Sequence, residues 1–221
     1  MNSTNRRSEG IYDLPSAARY LLAARGAEEA YPISSRGLIR WIRNGLALPR
    51  LASVPGRELL IEFEDLVSMR VIAALRGAGV SWPSIYEAEE WLRRNVRHPR
   101  PFATEELWTS RSDIFTRFRR VLISASRHGQ IAMDILTDHL IPVSGLEFEK
   151  QVARAWEPQD LIFLDPKVQF GAPCIQGTRI PTRSIWGMIE GGDPRELVRR
   201  AYDIREDELE AALAWEDRLA A

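Results

Sequence analysis

The sequence is short of the residues that most often carry covalent or metal chemistry. Of its 221 residues one is cysteine, Cys174, and three are histidine, His98, His128 and His139. A single cysteine excludes an internal disulfide framework and any cysteine-rich zinc site. The histidines are scattered, without a repeated metal-ligand spacing. Lysine is nearly absent too: Lys150 and Lys167 stand alone, and arginine carries the remaining positive charge. Genomic base composition explains much of that bias, although arginine aimed at phosphate or guanine looks the same in a sequence. No run approaches the eighteen or so apolar residues of a membrane helix. The polar start, MNSTNRRSEG, is not followed by the apolar core of a signal peptide. These absences lead us to expect a soluble, cytoplasmic protein with no metal and no cofactor.

What is present suits a folded chain. Hydrophobic residues make up 45%, and the net charge is −1. The length accommodates two small domains or one with an appendage. Charge is segregated. Residues 1–100 hold fifteen Arg/Lys against eleven Asp/Glu, a net of +4. Residues 101–157 come to −1, and residues 158–221, with eight against twelve, to −4. A basic end joined to an acidic end suits a protein that holds nucleic acid at one side and another partner at the other.

Residues 1–10 read as a disordered N-terminus. Over 11–24, Leu14, Ala17, Ala18, Leu21 and Leu22 fall on one helix face. After a short link containing Pro32, SSRGLIRWIRNGL predicts a second helix. Ser34 or Ser35 caps it, Leu38, Trp41 and Ile42 are its buried positions, and Asn44-Gly45 ends it. Its free face carries Arg36, Arg40 and Arg43. Two short helices packed through few apolar residues, the second with arginines outward, make a helix-turn-helix candidate for the major groove. The alternative is an ordinary helical pair with a solvated arginine face. A strand is expected over ELLIEF, residues 58–63, after the Pro55-Gly56 turn. Two helices follow, one with Leu66, Met69, Val71, Ile72 and Leu75 inward, the next capped by Ser81 with Trp82, Ile85, Ala88, Trp91 and Leu92 inward.

In this register, residues 11–95 resemble the MerR-type winged helix-turn-helix. The matching positions are Ala17-Ala18 and Leu21, Leu38, Trp41 and Gly45-Leu46, then Asp65-Leu66, Met69, Ile72, Leu75-Arg76, Gly79, Ser81, Trp82 and Ile85. The resemblance implies a DNA-binding domain over 11–98. It implies contacts from Ser34, Ser35, Arg36, Arg40, Arg43 and Asn44, with Arg50 and Arg57 toward the DNA backbone near the wing. The chain departs from the family in a longer link between the first helices. It also lacks the long dimer helix, since His98-Pro99-Arg100-Pro101 stops the last one.

Residues 99–157 read as a small α+β connector. Strands are expected over FATEELWT (102–109), DIFTRF (113–118) and VLISAS (121–126), and a helix over 130–140. Leu146–Phe148 and Val152–Trp156 alternate like half-buried strand. His128 and His139 with Asp134 or Asp138 read as a polar helix face in preference to a metal or acid–base set.

The densest cluster of special residues is LIFLDPKVQFGAPCIQGTRIPT, residues 161–182. Pro166, Gly171, Pro173, Gly177 and Pro181 punctuate two short apolar strands, which predicts a hairpin. Gly177 is expected to supply a left-handed turn. Three helices follow, over 182–190, 193–202 and 205–219, with Asp193 as cap of the second. This segment resembles the family called domain of unknown function 433, through Asp165-Pro166, Gly171, Pro173, Ile175, Gly177-Thr178-Arg179, Pro181-Thr182, Ile185, Gly191, Glu196-Leu197, Tyr202, Leu209 and Ala212-Leu213. With a MerR-like domain ahead of it, the chain resembles the two-domain VapB-type antitoxins. That resemblance implies a repressor of its own operon that pairs with a PIN-like ribonuclease toxin.

The expected architecture is therefore mainly α with small β elements: a winged helix-turn-helix, the connector, and a β-hairpin with a three-helix, HTH-like domain over 158–221. Dimer or toxin contacts are expected at Arg179, Trp186, Met188, Tyr202 and Trp215. Asp165, Cys174, Thr178 and Arg179 invite an enzyme reading. No histidine after 139 is present to activate the thiol, and Pro and Gly at these spacings shape a hairpin, so no catalytic residue is assigned. Two rival functions remain: an antitoxin that binds protein without reading DNA, and a MerR-like ligand-sensing regulator.

Overall fold

The computed structural model describes residues 10–25, 33–45, 59–77, 79–108 and 145–220. It is mostly helical, with two small sheets. The chain enters on β1 (Ile11–Asp13), which pairs antiparallel with β2 (Leu60–Glu62), Tyr12 opposite Ile61. The sequence reading placed residues 11–13 at the head of a helix. Instead Asp13 leaves the strand and caps α1 (Leu14–Ala23), accepting the Ser16 amide at 2.6 Å, with Pro15 in the first turn. Leu14, Ala17, Ala18 and Leu21 are buried on α1, but Leu22 is 49% exposed. One further step of about 100° carries it off the apolar stripe.

The Ser34 hydroxyl caps α2 (Ser35–Arg43), which buries Leu38 and Trp41. Next is α3 (Phe63–Gly77), an almost wholly buried helix that packs against α1 and the later helix over 82–96. Its Asp65 accepts the Glu62 amide at 3.1 Å and forms a buried ion pair with Arg100. Ser81 caps α4 (Trp82–Val96), and Arg97 closes it in a left-handed conformation, φ 57°.

The strand expected over 102–109 is not formed. Pro101–Ala103 make a 3-10 turn and Glu105–Trp108 a single helical turn, α5. Pro101 has no amide to give a ladder. The Thr104 hydroxyl bonds back to the Pro101 carbonyl at 2.7 Å, tightening the turn, and acidic residues then suit a helix start. Phe102 and Ala103 are fully buried. The elements expected over 113–118, 121–126 and 130–140 lie outside the described residues, as do residues 1–9 and 46–58; of the strand expected over 58–63, where a wing would sit, residues 60–62 form β2, and Phe63 opens α3 instead.

A second sheet has the order β3 (Leu146–Glu149), β4 (Val152–Gln159), β5 (Ile162–Leu164), β6 (Cys174–Ile175), antiparallel throughout. Lys150 and Gln151 both take positive φ between β3 and β4, the turn geometry that matches strand twist. The hairpin expected over 161–182 is present as β5–β6. The sheet continues back through β4, across residue 157. Then come α6 (Thr182–Glu190), α7 (Arg195–Tyr202) and α8 (Glu206–Ala220). Asp193 is not the cap of α7: Pro194 occupies that position, with no side-chain cap bond.

Two cores meet at α1 and the second sheet. The larger joins Leu14, Leu21, Leu38, Trp41 and α3 to Trp156 and Leu164; the smaller gathers Ala23, Ile162, Ile185, Val198, Leu209 and Trp215. The C-terminal end of α1 is held on two sides. The Arg25 amide donates to the Pro158 carbonyl at 2.8 Å, and buried Arg70 of α3 donates to the Arg25 carbonyl at 2.6 Å. The Arg25 side chain also pairs with Asp160.

Candidate functional site

Helix α2 presents the arginines on one stripe. Spacings of four and three residues return Arg36, Arg40 and Arg43 to the same face, and all three are exposed. Among the described residues none of them forms an ion pair, whereas several arginines elsewhere do. Arg154 pairs with Glu147, Arg195 with Glu210, Arg199 and Arg200 with Glu196, and Arg205 with Asp207. The α2 stripe is thus three guanidinium groups with their charge unneutralised. Ser34, exposed, spends its hydroxyl on the Gly37 amide at 3.1 Å. Ser35 is half-buried as the first helical residue, and exposed Asn44 ends the helix, its amide donating to the Arg40 carbonyl at 3.0 Å. Arg50 and Arg57 lie outside the described residues.

Sequence reasoning missed what fixes the stripe's direction. The buried Trp41 ring meets Trp82 of α4 edge to face, centroids 5.5 Å apart. Arg76 of α3 lies 5.0 Å over the same Trp82 ring. The presence of two tryptophans was legible, but their pairing across forty residues was not.

The C-terminal motif is a set of turns that grips the N-terminal strand. Gly171 has φ 86°, and a Cβ on it would stand 2.1 Å from the Tyr12 hydroxyl. That hydroxyl donates to the Gly171 carbonyl at 3.2 Å. Gly177 takes the expected left-handed turn, φ 75°, in open space. Asp165 is buried and accepts the Lys167 amide at 2.7 Å, with Arg154 3.6 Å away. The Thr178 hydroxyl donates to the Ile175 carbonyl at 2.8 Å and accepts the Ile180 amide at 3.1 Å. Burial pushes the Cys174 thiol up to about 11, against the pull of nearby Arg179, so it is a thiol and not a thiolate at neutral pH.

Of the expected interface residues, Arg179 is exposed, and Trp186, Met188 and Tyr202 are half-buried. The Trp186 indole donates to Asp217 at 3.1 Å. Trp215 has no exposed surface and lies 6.2 Å from the Tyr20 ring of α1. It is core, and it is the residue that seats the C-terminal helices on α1. Among the described residues no three His, Cys, Asp or Glu side chains converge as a metal site, and no helix is long and apolar enough to cross a membrane.

Residues 162–215 match the family described as "Protein of unknown function (DUF433)". The crystal structure of Rv2018 from Mycobacterium tuberculosis is similar over 92% of this chain and 96% of that one, with a TM-score of 0.71 at 20% identity. That likeness is one of fold. No curated protein matches the chain.

Proposed function

We propose that this chain is a DNA-binding antitoxin of a type II toxin–antitoxin system. In this reading it is a cytoplasmic, non-catalytic homodimer that represses its own operon and neutralises a PIN-like ribonuclease toxin. The carrying observation is the unneutralised stripe Arg36, Arg40 and Arg43 on a helix whose other face is buried through Leu38 and Trp41. A short helix held this way and presenting guanidinium groups is what the major groove accommodates. The β1–β2 pair beside α1 fits a winged helix-turn-helix. The antitoxin half rests on the resemblance of the two units taken together; the family match covers the C-terminal unit and carries no function of its own. Arg179, Met188 and Tyr202 are accessible for dimer or toxin contact.

The test of the DNA half is a gel-shift titration on the DNA upstream of the chain's own gene. Arg36→Ala/Arg40→Ala is expected to weaken binding at least tenfold, about 1–3 kcal/mol for each arginine that reads a base. The salt dependence should also be shallower, since each lost phosphate contact lowers the slope. Unchanged operator affinity in the double variant overturns the assignment. For the toxin half, the chain is co-expressed with a PIN-type protein encoded beside it. Restored growth and a co-purifying complex are expected, and continued toxicity refutes it.

A further inference from the structure

A cleft of about 410 Å3 lies where α1 meets the C-terminal helices. That volume is in the range of small-molecule sites, roughly 300–1,000 Å3. Its walls come from both units: Arg19 and Tyr20 from α1, Arg183 and Trp186 from α6, Glu216 and Leu219 from α8. Pro173 and Pro181 of the motif add rigid apolar surface.

The polar groups are unevenly satisfied. Arg19 and Arg183 are exposed, and neither has an ion-pair partner among the described residues. Arg19 reaches only the Ser16 hydroxyl, at 3.5 Å. The acid in the cleft, Glu216, is buried and already accepts the Thr182 hydroxyl at 2.5 Å. The lining thus carries two guanidinium groups against one engaged carboxylate; Asp13, the cap of α1, and Asp217, on the Trp186 indole, lie outside it. Both guanidinium groups line the cleft together with the Tyr20 phenol. Burial first, then Glu216, pushes that phenol up to about 12, so it remains a hydrogen-bond donor at neutral pH. The Tyr20 hydroxyl has no hydrogen-bond partner among the described residues. The cleft therefore offers two cations and one idle donor beside an apolar wall.

We propose that this cleft binds a small organic anion with an apolar body. Its carboxylate or phosphate sits between Arg19 and Arg183 within reach of the Tyr20 hydroxyl, and its ring or chain lies on Trp186 and Leu219. Arginine suits such a head group because its planar fork matches both oxyanions. The proposal does not depend on DNA or toxin binding, and its test contains neither.

Benzoate, phenyl phosphate and inorganic phosphate are titrated separately into the full chain. Binding is followed by the Trp186 indole N–H resonance, assigned with Trp186→Phe. At least one aromatic probe is expected to shift that resonance saturably, and the better of the two identifies the head group. Inorganic phosphate is expected to bind about tenfold more weakly than phenyl phosphate, since it lacks the apolar part. Arg19→Gln and Arg183→Gln should each weaken the aromatic probe about tenfold while circular dichroism stays unchanged, and Arg200→Gln on α7 should have no effect. No saturable shift with either aromatic probe overturns the site. Binding that survives both arginine substitutions overturns the assigned head-group contacts. Equal affinity for inorganic and phenyl phosphate overturns the role of the apolar wall.

Discussion

A Cβ placed on Gly171 would stand 2.1 Å from the Tyr12 hydroxyl, on backbone already at φ 86°. The left-handed conformation alone costs an ordinary residue about 1–2 kcal/mol, and overfilling a packed contact about 1–3 more. Gly171→Ala is expected to lose about 3 kcal/mol in urea denaturation, and Gly177→Ala, which meets nothing within 4 Å, about 1. The two glycines look alike in the sequence, both read as hairpin punctuation. What separates them is a tyrosine 159 residues away, a contact no local pattern encodes. Glu89 supplies a second prediction. Burial pushes its carboxyl from an ordinary 4.5 up to about 7, although Arg93 at 2.7 Å and Arg100 pull it down. The native state then holds a proton that the unfolded chain has released. The resulting stability is full below about pH 4.5 and is lost as pH rises through about 7. Denaturation midpoints measured from pH 4.5 to 7.5 should fall more steeply for the native protein than for Glu89→Gln. Parallel curves would refute the shift.

Among elements, those bounded by proline, glycine and a capping hydroxyl were legible. Ser34 and Ser81 cap the helices expected of them, and the three C-terminal helices fall within two residues of their expected spans. The strand expected over FATEELWT failed because a local turn won: Pro101 and the Thr104 back-bond hold its start in a 3-10 turn, and α5 follows. In the sequence Asp65 stood out only as a position shared with the MerR-type pattern, with no partner indicated. It is fully buried and tied to Arg100, joining α3 to the segment after α4. Removing one partner leaves the other charged and desolvated. Asp65→Ala is expected to cost about 3–5 kcal/mol, whereas Asp65→Leu/Arg100→Met should cost clearly less. Thermal melts of the three proteins decide the matter; equal losses would mean the pair itself is the source of stability.

In the whole molecule the two units share α1 and the second sheet. Residue 157, where the sequence reading drew a boundary between connector and C-terminal unit, lies inside β4. Composition changes there, but the sheet does not. Trp156 belongs to the larger core and Ile162 to the smaller, so one sheet serves both. Tyr20 spans the junction, 6.1 Å from Tyr12 and 6.2 Å from Trp215. Tyr20→Ala is expected to lower the midpoints of far-ultraviolet dichroism and tryptophan fluorescence together, because both units lose support from one side chain. Two separated midpoints in the unsubstituted chain would show that the units melt independently.

The clamp on Arg25 bears on how such a molecule would measure DNA. With its amide on Pro158 and its carbonyl on Arg70, Arg25 ties the end of α1 to both the sheet and α3. Helix α2 packs on α1, so its stripe is carried at a set attitude to the C-terminal unit. In the two-fold pair proposed above, joined through that unit, the distance between the two stripes would be set by these contacts. The proposed repressor would then read its operator as a rigid gauge reads a thread. Inserting about 5 base pairs between half-sites turns the second groove to the far side of the duplex, where the second stripe does not reach it.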